Sequence, residues 1–145
     1  MTVWTAAAVA AALLLAQPAP KKAAPAPPAG DLPVTVTYKG KGAIDPAHKV
    51  IVWAFADSNI TSASRPLDHA FVTKNGETVT FKGLSAPVYL FAVYDRTGGY
   101  DGVSAPPPAG VPSATYRQAP KGPPTAVKPG AAVKFTFDDS EPWNK

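Results

Sequence analysis

The sequence predicts an all-β fold, a two-layer antiparallel sandwich of about seven strands, and three observations carry that prediction. Two runs alternate apolar and polar residues with period two: Val34, Val36 and Tyr38 against Thr35 and Thr37, and Val133, Phe135 and Phe137 against Lys134 and Thr136. Two further runs, Val50 to Ala56 and Val88 to Tyr94, are apolar at nearly every position, the pattern of central strands covered on both faces. Beyond the first few tens of residues no window sustains a helical stripe for ten positions, while Gly, Pro and Asn punctuate the chain at short intervals.

Taken in chain order, the first element is an address rather than a strand. Thr2 to Ala19 carries no charge and Ala6 to Ala16 is an unbroken apolar run, so residues 1–16 read as a secretory signal peptide with a cut after Ala16. The alternative is an uncleaved membrane anchor, for which a stretch made mostly of alanine is at the lower limit for crossing about 30 Å of hydrocarbon. Residues 17–31 follow as a Pro/Ala-rich linker in which Pro18, Pro20, Pro25, Pro27 and Pro28 deny the backbone helix and ladder hydrogen bonds. The folded domain is expected over residues 32–139, with 140–145 as a C-terminal tail.

Within the domain, the alternating run from Val34 opens the first sheet and Val50 to Ala56 supplies a central strand. Ala70 to Thr73 is expected to pair with Thr78 to Phe81 across Lys74-Asn75-Gly76-Glu77, because Asn-Gly takes the positive φ angles a tight hairpin needs. Val88 to Tyr94 is the second central strand, Thr115 to Gln118 an edge strand guarded by prolines, and the run ending at Phe137 closes the sandwich. The expected core takes Val34, Val36, Val50, Val52, Val79, Phe81, Leu90, Ala92, Phe135 and Phe137. Period alone leaves open which face of the two central strands points inward. At roughly 110 residues such a domain stands without disulfides, in agreement with a chain that has no cysteine.

Composition narrows the chemistry. Without cysteine, thiolate metal sites, cysteine nucleophiles and lipidation of a leader cysteine are excluded. A formal charge of +4 is spread among prolines and threonines, with Lys39, Lys41 and Lys49 near one strand end and Lys121, Lys128 and Lys134 scattered later. That is no dense cationic face, and no nucleic-acid partner is expected. His48 and His69 share no helix that would deliver a ligand pair, and Gly102-Val103-Ser104-Ala105-Pro106 lacks the final glycine of a serine-hydrolase elbow. The aromatics are more informative: Trp53, Phe55, Tyr89, Phe91 and Tyr94 crowd the two central strands. They read either as core or as a ring-bearing face that takes a sugar or apolar ligand, with Trp53, Tyr89 and Tyr94 as its candidate residues and the proline loop from Ala105 to Pro129 as a lid.

The stretch Thr80-Phe81-Lys82-Gly83-Leu84-Ser85-Ala86-Pro87-Val88-Tyr89-Leu90-Phe91-Ala92-Val93-Tyr94-Asp95 resembles the middle of the transthyretin-like, or carboxypeptidase regulatory-like, Ig-like β-sandwich modules of bacterial exported proteins. In these a strand ends in Phe-x-Gly-Leu and the next carries Tyr and closes on Asp. The runs beginning at Val34, His48 and Val133 fall where such a module places its strands, although Pro87 stands where the family usually has Gly. The resemblance implies a non-catalytic module that serves as a spacer, surface structure or binding platform; with the leader, the expectation is a secreted or periplasmic chain without cofactor, its partner open with a cell-surface protein or glycan as candidate, touching membrane only through an uncleaved leader. Purine-pathway hydrolases share the fold but end in Tyr-Arg-Gly-Ser, which this chain lacks, so that activity is not expected. Related modules also carry a calcium-type loop after the second central strand; here Asp95 and Asp101 are its candidate ligands, with Thr97 and Gly99 where further oxygen ligands would stand, and only weak binding is expected.

Overall fold

A computed structural model describes residues 30–144. The signal peptide or anchor expected over 1–16, and the linker up to residue 29, lie outside them. The described residues form seven strands and no helix: β1 Leu32–Tyr38, β2 Val50–Phe55, β3 Asp68–Val72, β4 Thr78–Phe81, β5 Tyr89–Tyr94, β6 Ser113–Thr115 and β7 Val133–Phe137. They make a three-stranded sheet in the order β4-β1-β7 and a four-stranded sheet in the order β3-β2-β5-β6.

The alternating strands place one face in the core. Leu32, Val34, Val36 and Tyr38 of β1 are buried together with Val133, Phe135 and Phe137 of β7, and they pack against Val50, Val52, Ala54, Leu90, Ala92 and Tyr94 of the opposite sheet. Of the expected core only Val79 falls short, being half-buried at its edge. Burying a Val or Leu side chain contributes about 1.5–3 kcal/mol, so this shared face is what holds the two sheets together.

Three expectations are corrected. The sandwich is not wholly antiparallel, because β7 runs parallel to β1, with Val34 opposite Val133 and Tyr38 opposite Phe137. A period of two is the same in both directions, so alternation is silent about strand sense. Second, β3 and β4 are not a hairpin. β3 pairs with β2, placing Val72 opposite Val50, while β4 pairs with β1, placing Phe81 opposite Leu32. The Asn75-Gly76 turn is real, with Gly76 at φ +80°, but it carries the chain from one sheet to the other. Third, the late edge strand begins earlier than expected: Ser113–Thr115 pairs with β5 through Val93 opposite Ser113 and Phe91 opposite Thr115.

The question of which face of the central strands is core has a two-sided answer. Even-numbered residues of β2 and β5 face the opposite sheet, while Ile51, Trp53, Phe55, Phe91 and Val93 form a second buried cluster on the outer face with Ile60, Val111 and Trp143. The chain end expected as a tail is part of this cover. Trp143 is buried, its N–H donates to the Val111 carbonyl at 2.8 Å, and its carbonyl accepts from Gly110 N–H at 2.8 Å.

Candidate functional site

The outer face of the four-stranded sheet is floored by rings that the period of two sends outward from β2 and β5. Trp53 and Phe91, cross-strand partners, stack with centroids 5.8 Å apart, and Phe91 meets Trp143 at 5.2 Å. Tyr100 adds a tilted ring 6.3 Å from Trp53. Two loops stand over these rings, residues 60–66 and 102–107, and between them lies a cleft of about 610 Å3. That volume is within the range of small-molecule sites, roughly 300–1,000 Å3.

The wall formed by residues 95–107 is built from within. Asp95, buried at the end of β5, accepts from Gly98 N–H at 3.0 Å and Thr97 Oγ1 at 3.3 Å with one oxygen and from Tyr100 N–H at 2.9 Å with the other. Asp101 holds the next turn, accepting from the N–H groups of Val103 and Ser104, both at 3.0 Å, and from the Ser104 hydroxyl. These bonds, the Ser104 hydroxyl first, hold the Asp101 carboxyl well below its ordinary value, at about 2. Gly102 then lies over the sheet at φ +76°, where a Cβ would sit 3.0 Å from Ile51 Cγ2. Its carbonyl accepts the Trp53 indole N–H at 2.9 Å. The Tyr100 hydroxyl donates to the Ala105 carbonyl at 2.7 Å, and burial, reinforced by Asp101 and Asp95, pushes that phenol up to about 12. The opposite wall is tied by Ser64 N–H to Thr61 O at 3.0 Å and Thr61 N–H to Ser64 Oγ at 2.9 Å.

The sequence-predicted site residues separate in space. Trp53 is on the floor of this cleft, and Tyr89, half-buried, leaves the same outer face beside Phe55 in the ladder. Tyr94 points the other way, into the space between the sheets, where it stacks on Tyr38 at 4.4 Å, so the three do not form one ligand face. Within the proline loop expected as a lid, Ala105, Pro106 and Pro107 line the cleft. Asp95 and Asp101 each serve their own turn, and among the described residues no group of three or more His, Asp or Glu side chains converges as a metal ligand set. Tyr100 and Trp143 were missed. Trp143 had a legible signal, a large ring in an otherwise polar chain end, and Tyr100 had none, because glycines surround it.

A second, wider cleft of about 790 Å3 opens at the far end of the sandwich, beside the Tyr38–Tyr94 stack. There Asp139 accepts the Tyr38 hydroxyl and the Lys41 N–H, the latter at 2.8 Å, and stands 3.7 Å from Arg96. The Tyr38 bond, then the Lys41 one, lowers the Asp139 carboxyl, while burial and that carboxylate raise the Tyr38 phenol. Asp45 caps its own turn through Ala47 N–H and His48 N–H, at 2.9 and 2.7 Å, and meets the His48 ring at 3.2 Å. His69, elsewhere, packs edge-on against Phe71 at 5.3 Å.

Comparison with family models, with curated proteins and with solved structures finds no match to this chain.

Proposed function

We propose that this chain is a non-catalytic β-sandwich module, exported to the cell envelope or medium, that works by interaction rather than by chemistry. One observation carries the reading. The carboxylates near the two clefts, Asp45, Asp95, Asp101 and Asp139, are each engaged by two or more donors from neighbouring backbone and side chains, so they act as struts for rigid loops. A general acid or base needs the reverse, a group free to exchange a proton with a bound reactant. The charge-free leader and the resemblance to transthyretin-like modules support export. Expression from residue 1 in a bacterium, followed by fractionation and intact-mass measurement, tests it. Protein of the envelope or medium should lack residues 1–16; full-length protein confined to the cytosol would overturn export, and full-length protein in the membrane would make the leader an anchor.

The aromatic cleft favours a second, more specific reading, that the module binds a small ligand on its outer face. Its test is a tryptophan-fluorescence screen of the purified protein against glycans, peptidoglycan and apolar small molecules. Saturable changes in emission support the reading, and a flat response to every class counts against it.

A further inference from the structure

We infer that the ligand of the aromatic cleft is an amphipathic monocarboxylate, its apolar body lying between the two loops and its carboxylate at Arg65. The inference rests on the small-ligand reading and chooses the chemistry of the ligand.

The floor and walls argue for an apolar body. The Trp53 indole N–H is spent on Gly102 O and the Tyr100 hydroxyl on Ala105 O, so neither ring offers a free donor to a ligand. Val103, 63% exposed, and Pro106 present apolar surface from one wall, with Ile60 buried beneath the other. A sugar wants acceptors and donors in pairs beside the ring, supplied by carboxylates or carboxamides, and none of the residues lining this cleft is Asp, Glu, Asn or Gln. Asp101, next to Gly102 in the wall, has its oxygens engaged by Val103 and Ser104.

The charge argues for a single anionic end. Among the described residues Arg65 is the one charged residue lining the cleft, and it is exposed. The ion pairs among the described residues join His48 to Asp45, Arg96 to Asp139 and Arg117 to Glu141, so Arg65 has no anionic partner there. The cleft also holds the hydroxyls of Thr61, Ser62, Ser64 and Ser104, of which all but that of Ser62 bond within their own loops, so the guanidinium, whose paired N–H donors match a carboxylate, is the group that selects an anion over a neutral head of the same length. Because the group is at the rim, the selection is modest, roughly three- to tenfold.

The test compares decanoate with decanol, which share an apolar body, by titration into the purified protein and tryptophan fluorescence, with calorimetry as a second readout. Decanoate is expected to saturate and to bind roughly three- to tenfold tighter than decanol, with the preference lost in Arg65→Gln and reversed in Val103→Glu. Both positions are exposed, so neither change threatens the fold. Equal affinity for the two ligands, or a preference that survives Arg65→Gln, would overturn the carboxylate assignment and leave the small-ligand reading standing. Failure of both to saturate would overturn the amphipathic monocarboxylate, and the small-ligand reading would fall with it only if glycans and peptidoglycan also left the emission unchanged. Saturation by a neutral glycan that displaces decanoate would replace this chemistry with sugar recognition.

Discussion

The Asn75 side chain pairs with the backbone of Tyr38 as though it were another residue of a strand. Its Oδ1 accepts Tyr38 N–H and its Nδ2 donates to Tyr38 O, both at 2.9 Å. Next to it Gly76 N–H donates to Val36 O at 2.9 Å and Val36 N–H to Glu77 O at 3.0 Å, so the turn between β3 and β4 continues the β4 ladder along β1. Asn75→Ala strands both backbone groups of Tyr38, a buried residue, and should cost about 1–3 kcal/mol. Urea unfolding with an unchanged midpoint would show that water replaces the amide without loss.

Gly76 makes a separate, purely backbone prediction. It stands at φ +80° with open space where a Cβ would go, so no clash confounds a substitution. Gly76→Val should destabilise by more than about 1 kcal/mol and Gly76→Asn by clearly less, since Asn tolerates the left-handed region. Equal thermal midpoints for the two variants would mean that the turn relaxes to a negative φ.

Trp143 should behave as core. Its ring is 6% exposed and packs on Phe91, so Trp143→Ala is expected to cost about 3–5 kcal/mol and to change the near-ultraviolet circular dichroism. Deleting residues 140–145 should do at least as much harm, because Ser113 N–H would lose Glu141 O, its partner at 2.8 Å. A truncated domain that melts like the parent would return these residues to the status of a tail.

Acid should loosen the cleft wall. The Asp101 carboxyl titrates at about 2 in the fold against an ordinary 3.8, a depressed value, so its contribution is complete above 3.8 and is lost as pH falls through about 2. Asp45, Asp138 and Asp139 are lowered as well and add to the same trend. The thermal midpoint should therefore fall between pH 4 and pH 2, and Asp101→Ala should flatten part of that fall. The same slope in wild type and variant would remove Asp101 from the account.

Calcium should have little effect. A hard cation needs about six to eight oxygens, whereas Asp95 and Asp101 already accept from the loops they hold. Millimolar calcium is expected to shift the thermal midpoint only slightly. A micromolar site in calorimetry that vanishes in Asp95→Ala would require the loop to reorganise around the ion.

The strands themselves were legible in the sequence. Alternation marks β1 and β7, unbroken apolar runs mark β2 and β5, and Asn75-Gly76 marks a turn with positive φ, because these features follow from side-chain period and from steric limits on a single residue. Partnership was not legible. An alternating strand buries the same face whether its neighbour runs with it or against it, so the parallel pairing of β1 with β7 and the separation of β3 from β4 into different sheets depend on the path of the whole chain. The crowded rings of β2 and β5 likewise divide only once the pleat is placed: Tyr94 goes between the sheets, while Trp53 and Phe91 go outward. What covers them, Tyr100 and Trp143, comes from loops many residues away whose local sequence has no period. The cleft is therefore a product of tertiary contact, since long-range burial decides where aperiodic segments settle and local propensity does not.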